Sequence, residues 1–197
     1  MRILAISDVA DKALWDYLDR SLLEGVGLVL ACGDLPSEYL SFLTCFTNAP
    51  ILYVHGNHDD NYEKFPPEGC VCVEDQIYVH QGVRVLGLGG SMRYRPGENM
   101  YTDRAMNRRV RRLRWKLRRT GGFDILLCHA PPLGVGDQED LPHRGFQSFL
   151  ELMDRYHPRY VVHGHVHPQY GALNFIRERQ YGDTTVVNAY KRYFLEI

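Results

Sequence analysis

The fold class this sequence predicts is a mixed α/β sandwich, and three observations lead there. Short apolar runs alternate with helix-patterned stretches up to residue 54, a βαβαβ order that calls for parallel strands with crossover helices. The middle and the tail are richer in short strands separated by turns. Every unusual polar cluster falls just after a strand, where the carboxyl ends of an open sheet gather residues into one crevice.

Taken in order, Arg2–Ile6 reads as a short buried strand. Leu14, Tyr17, Leu18 and Leu22 then recur at helical spacing, with Asp11 as the N-cap. Leu28–Ala31 is a second buried strand, Ser37–Phe46 a helix and Ile51–Val54 a third strand. Val71–Val73, Gln76–His80 and Val83–Leu88 follow as short strands before a Gly-Gly-Ser corner at 89–91. A strongly basic helix is expected over 102–119, then a strand at Ile125–Cys128, a helix at 146–156 and a strand at Tyr160–His163. Val186–Asn188 and Tyr193–Ile197 read as a closing hairpin. No repeat or low-complexity linker interrupts the sequence, so residues 1–197 are expected to form a single domain with a sizeable core.

The totals set bounds. A composition of 45% hydrophobic and 24% charged residues is that of a globular protein. No apolar run approaches the roughly 20 residues that span a bilayer. The N-terminal apolar stretch meets Asp8 too soon to be a secretory h-region, so no membrane partner is expected. Five cysteines, an odd number without zinc-ribbon spacing, favour a reducing cytoplasm. A formal charge of −1 implies no polyanion partner overall, although charge can be segregated locally.

The strand-end clusters are Asp8, Gly33-Asp34, Gly56-Asn57-His58-Asp59, His129 and His163-Gly164-His165-Val166-His167. Each fragment alone is weak: a Gly-Asp pair is usually a turn, and a lone histidine such as His129 is usually structural. Together, in order and each at a strand end, they point to a metal centre. Aspartate, asparagine and histidine without thiolate suit Mn, Fe or Zn better than a soft metal. A carboxylate such as Asp34 can bridge two cations.

In this series the chain resembles the calcineurin-like metallophosphoesterases, and the motifs run from residue 8 to 167. The resemblance implies a four-layer αββα sandwich, two mixed β-sheets flanked by helices, with a dinuclear centre at one edge. It implies that Asp8, Asp34 and His167 hold the first ion. Asp34 would bridge to a second ion completed by Asn57, His129 and His165. His58 would face the substrate, and Asp59 would orient the His58 imidazole. The implied reaction is phosphoester hydrolysis by a hydroxide bridging the ions, with the cations offsetting phosphate charge and protonated His58 supporting the leaving oxygen.

That family's pattern opens Asp-x-His, whereas this chain reads Asp8-Val9-Ala10. The first site loses an imidazole, but three protein ligands plus water remain a normal count for a catalytic metal. The remaining set is richer in oxygen and leans toward Mn²⁺ or Mg²⁺. Two divalent ions are expected, Mn first, with Fe, Zn, Mg or Ni as alternatives, and the first site weaker and partly hydrated. Asp11 is the nearest substitute ligand, set against its capping role. His143 is a loop candidate, set against an ordinary surface role.

Loop 89–106 carries Arg93 and Arg95, either of which can clamp a phosphate, and loop 129–146 adds Arg144 as a weaker candidate. With residues 164–171 and 181–190, these loops resemble small class III cyclic-nucleotide phosphodiesterase-like proteins, which tilts the substrate toward a phosphodiester. In the basic helix, Met106, Val110, Leu113 and Leu117 form an apolar stripe, so its arginines read first as a solvated face and nucleic acid is not the favoured partner. The expectation is therefore a metal-dependent phosphoesterase acting on a phosphodiester or small phosphomonoester. The alternatives are a nuclease that holds nucleic acid on helix 102–119, and a non-catalytic metal-binding scaffold of the same fold.

Overall fold

A computed structural model describes residues 1–168 and 175–197. Its strands are β1 (Arg2–Ser7), β2 (Val26–Ala31), β3 (Ile51–Tyr53), β4 (Val71–Cys72), β5 (Gln76–His80), β6 (Val83–Leu88), β7 (Ser91–Met92) and β8 (Met100–Tyr101). β9 (Ile125–Cys128), β10 (Tyr160–His163), β11 (Glu178–Tyr181), β12 (Thr184–Asn188) and β13 (Lys191–Glu196) complete them. The α-helices are α1 (Ser37–Thr44), α2 (Asp103–Arg112), α3 (Arg114–Thr120) and α4 (Gln147–Tyr156).

Two large mixed sheets carry the fold, one in the order β13-β1-β2-β3-β4 and the other β11-β12-β10-β9-β6-β5. β1, β2 and β3 run parallel, as do β6, β9, β10 and β12, while β13, β11 and β5 are antiparallel edges.

The period-2 alternation of the strands builds four layers. Ile3, Ala5, Leu28 and Leu30 from one sheet meet Val85, Ile125, Leu127, Val162 and Val187 from the other, which is the core between the sheets. The alternate residues Leu4, Ile6, Val29 and Ala31 face the other way, onto Tyr39, Leu40 and Leu43 of α1. On the second sheet Leu86, Leu126, Cys128, Val161 and Val186 face Met106, Leu113, Leu117, Phe149 and Leu152 of the helices. The apolar stripe expected on the basic helix does pack on the sheet.

Three expectations need correction. Residues 12–22 do not form a helix. Leu14 N, Tyr17 N and Asp19 N donate to Asp11 O, Lys12 O and Ala13 O, a widening turn rather than a repeating ladder. Asp19 then accepts from Ser21 N and opens a separate 3-10 turn at Arg20–Leu23. Leu14 is buried regardless, while Tyr17 is 78% exposed, so helical spacing did not mean one helical face. The basic segment is two helices broken at Leu113, with Thr102 accepting from Ala105 N at its start.

The tail does not close as a hairpin either: β12 lies in the second sheet and β13 pairs with β1 in the first. Asn188 Oδ1 accepts from Tyr190 N, and Lys191 at φ 65° swings the chain across. The hairpin is β11 with β12, turning at Gly182-Asp183.

Candidate metal centre

Each predicted ligand stands just beyond a parallel strand: Asp8 after β1, Asp34 after β2, Asn57 after β3, His129 after β9, His165 and His167 after β10. The carboxyl ends of parallel strands share one edge, so the two sheets deliver their loops to one place. The loops are tied across that edge. Asp8 N donates to Gly33 O at 3.2 Å, Gly164 N to His129 O at 3.0 Å, and His165 N to the Asp8 carboxylate at 3.0 and 3.1 Å.

This close packing needs glycine. A Cβ on Gly164 would run into Ser7 Oγ and the Asp8 carboxylate, and one on Gly56 into the Asp34 carboxylate. Three of the predicted ligands, Asp8, Asp34 and His165, sit in the left-handed region at φ 66°, 56° and 65°. Such conformations cost about 1 kcal/mol or more each and collect where function demands them.

The ligand atoms converge. Donor atoms of Asp34, His129 and His165 all lie within 4.8 Å of one another. Ligands about 2.1 Å from a common ion would stand roughly 3–4 Å apart, so a small closure suffices. His129 Nε2 is 3.1 Å from Asn57 Oδ1 and 3.3 Å from Asp34 Oδ2. Its other ring nitrogen, Nδ1, donates to Cys32 O at 2.7 Å. His165 Nε2 likewise donates to Pro142 O at 2.8 Å, which leaves Nδ1 as its lone-pair atom. A second-nitrogen bond to a backbone carbonyl is how metal-ligating imidazoles are oriented. The donor set therefore fits a divalent cation.

On the other side of Asp34, His167 Nε2 is 3.0 Å from Asp8 Oδ1. Burial would raise the Asp8 carboxyl, but this bond and the nearby His129 charge hold it below its ordinary value. Burial likewise opposes ionisation of Asp34, yet His129 and the His58 amide bring it down to about 2. Asp34 in turn overcomes the burial penalty on His129 and lifts it to about 9. Burial and the His129 charge push His165 down to about 3, leaving a neutral imidazole suited to a ligand. His163 is buried, is pushed down to about 4, and donates through Nδ1 to Gly164 O.

His58 is exposed, and its backbone amide donates to Asp34 Oδ1 at 2.8 Å. Asp59 departs from its expected role. Its Oδ2 accepts from Gly56 N at 2.7 Å and Asp34 N at 2.9 Å, and among the described residues no hydrogen bond joins it to the His58 imidazole. It clamps the two ligand loops together, and burial with the Asp34 charge raises its carboxyl to about 6.

The substitutes for the missing histidine do not reach the first site. Asp11 accepts from Ala13 N and pairs with Arg192 at 2.5 Å. His143 pairs with Asp140 at 2.7 Å, and its ring lies 5.2 Å from that of His165, on the second-site side. Ala10 packs against the outer apolar layer of the first sheet. Arg93, Arg95 and Arg144 are exposed. Arg93 Nε donates to Met100 O at 3.4 Å, and Arg95 stacks over Tyr94. Part of the loop 164–171 lies outside the described residues.

A supporting group carried no sequence motif. Glu74 accepts from His55 N at 2.9 Å and Gly89 N at 3.2 Å, and it pairs with buried Arg109. Arg109 also binds Asp75 Oδ1 and Gly89 O, both at 2.9 Å. A charged residue from the basic helix thus braces the loop that carries Asn57 and His58. Its one sequence signal is an acid, Glu74, directly after a short apolar strand.

Comparison with known proteins agrees with this geometry. The model of the calcineurin-like phosphoesterase family matches residues 1–169. A UPF0046 protein of Caenorhabditis elegans is 38% identical over 66 residues, which cover 34% of this chain and 21% of that protein, about a fifth of its length. Another UPF0046 protein of the same worm is 24% identical over 223 residues, covering 96% of this chain and 74% of that one. Among solved structures, TT1561 of Thermus thermophilus has a TM-score of 0.65 at 19% identity, covering 96% of this chain and 89% of its own. GAP50 of Plasmodium, the anchor in the inner membrane complex, has 0.58 at 11%, with coverage of 95% and 70%. At these identities the solved structures bear on fold alone. With the family model spanning every predicted ligand position from Asp8 to His167, the chain belongs to the calcineurin-like phosphoesterase family.

Proposed function

We propose that this protein is a metal-dependent hydrolase of phosphodiesters or small phosphomonoesters. The observation that carries the reading is the convergence of Asp34, His129 and His165, with Asn57 against His129, beside an exposed His58 that is not among the ligands. Family membership implies metal-dependent phosphoester hydrolysis; the choice of ester and metal is our own reading.

Asp34, Asn57, His129 and His165 would hold one ion, and Asp8, Asp34 and His167 the other. Divalent cations in these places would bring the pKa of a water toward neutrality and offset the charge on the phosphoryl oxygens. The oxygen-rich first set favours Mn²⁺. Asp59 fixes Gly56 and Asp34 so that the ligand carboxylate does not drift. His58, free of that clamp, would act on the departing oxygen. Arg93, Arg95 and Arg144 would bind the phosphate or the group beyond it. The five cysteines are unpaired, which suits a reducing cytoplasm.

One observation favours a non-catalytic scaffold instead: Asp8 is already engaged by His165 N and His167 Nε2, and Ala10 brings no ligand. Turnover separates the two. Mn²⁺-reconstituted protein is assayed on paired chromogenic mono- and diesters, with Asp34→Asn as control. The phosphoesterase reading expects metal-dependent turnover, higher on the diester and lost in the variant. Stoichiometric Mn²⁺ binding with no turnover of either ester would favour the scaffold.

A further inference from the structure

The nearly neutral net charge conceals a sharp division. Residues 103–119 hold nine of the 23 lysines and arginines and one of the 24 acids, so this segment carries +8 and the rest of the chain −9. Concentrated like charge opposes folding by self-repulsion, and of the segment's cations only Arg109 and Lys116 bond side chain to protein among the described residues. Arg109 is the member turned inward, and Lys116 donates to Asp75 O. Arg104, Arg108, Arg111, Arg114 and Arg118 are exposed, and among the described residues they make no ion pair or side-chain hydrogen bond. Arg155 of α4 is exposed too, its guanidinium 5.4 Å from the Tyr156 ring.

These arginines border a groove. A concavity of about 600 Å³ is walled by Arg111, Arg114, Trp115, Arg118, Arg155 and Tyr156. Two neighbouring hollows, of about 240 and 470 Å³, also have Arg111 in their walls and follow the seam between α2 and α4. The acids on this seam are Glu151 and Asp103, and Asp103 accepts from Gln147 N. Trp115 stands 75% exposed in the middle of the charge. An exposed indole gains nothing from water, and the apolar stripe of these helices is already packed on the sheet.

We infer that the α2–α3–α4 groove binds single-stranded nucleic acid, the arginines taking backbone phosphates and Trp115 stacking on an unpaired base. Arginine outnumbers lysine eight to one in the segment, and its planar fork matches phosphate where an ammonium is only a point charge. An exposed aromatic ring flanked by cations is the pairing that holds single strands without reading their sequence. A duplex offers no unstacked base to the indole. An anionic membrane would need a broader apolar face than one tryptophan. The surface is separate from the metal centre and does not depend on the hydrolytic reading.

The test uses the whole protein and a fluorescein-labelled oligothymidylate of about 20 nucleotides. Anisotropy titrations are run from low salt to about 0.2 M. Binding is expected to weaken with salt at a log–log slope of about −3, as four phosphates at about −0.7 each require. Arg114→Ala/Arg118→Ala should bind at least about tenfold more weakly and flatten the slope by about 1.4. Trp115→Ala should lose about tenfold with the slope unchanged. All three residues are exposed, so circular dichroism should show the variants folded, with hydrolysis of small chromogenic esters unchanged. No binding at low salt, or binding indifferent to these substitutions, would overturn the assignment. Competition by polyglutamate as effective as by unlabelled oligothymidylate would also overturn it, in favour of an acidic protein partner.

Discussion

His167 Nε2 lies 3.0 Å from Asp8 Oδ1, an ion pair inside the first predicted ligand set. The bond to Asp8 raises the His167 imidazole above its ordinary value, against a smaller penalty from burial. The imidazole is held with Nε2 on Asp8, the nitrogen whose lone pair a metal would need. The second set is more completely organised, since His129 and His165 already spend their other ring nitrogens on Cys32 O and Pro142 O.

Metal binding should accordingly be unequal. Isothermal titration with Mn²⁺ is expected to show one tight equivalent and one weaker by about tenfold or more, roughly 1.4 kcal/mol. Both should tighten as pH rises, since the imidazoles of His129 and His167 are each raised and must shed a proton to bind. His167→Ala should remove the weak equivalent and leave the tight one. Two equal equivalents would refute the asymmetry.

His58 and Asp59, adjacent in sequence, should fail in different ways. His58→Ala should keep its metal, read by elemental analysis, and lose about 10²–10⁴-fold in turnover. Asp59→Ala should lose metal as well, because the Asp34 and Gly56 amides lose their shared acceptor. If Asp59→Ala retained full metal and lost only turnover, it would act through the His58 ring after all.

The difference between these two residues shows what the sequence could reveal. Strand ends are legible because apolar runs stop at glycine and a polar residue, so Asp8, Asp34, Asn57, His129 and His165 could be placed at one edge from pattern alone. Which backbone a carboxylate reaches is set by tertiary packing. Asp59 meets the amide of Asp34, 25 residues away, and nothing local encodes that contact. The same holds for Glu74 with Arg109, and for the groove that appears only once α4 lies beside α2. The missing helix at 12–22 has a simpler cause. Asp11 and Asp19 each bind a nearby amide, and those local bonds compete with a helical ladder.

Two neighbouring arginines in α2 should differ sharply in their effect on stability. Arg109→Ala strands the Glu74 carboxylate and should cost about 3–5 kcal/mol in urea denaturation. Arg108→Ala removes an exposed side chain and should change stability by no more than about 0.5 kcal/mol. Arg109→Ala combined with Glu74→Gln should recover part of the loss, since position 74 then carries no unpaired carboxylate. Equal effects of the two single substitutions would mean that Arg109 is not the buried tie.

The same pair predicts an acid limit to stability. Burial by itself would raise the Glu74 carboxyl, but hydrogen bonds from His55 and the charge of Arg109 bring it down to about 2. A carboxyl depressed in the folded state favours folding above its unfolded value, about 4.3, and that contribution fades as pH falls toward 2. From the size of the shift it is worth at most about 3 kcal/mol. Urea midpoints measured between pH 5 and 2.5 should therefore fall more steeply for the native protein than for Glu74→Gln, which has no proton to take up there. Parallel curves would place the acid sensitivity elsewhere, in Asp34 and Asp8, whose carboxyls are also held low.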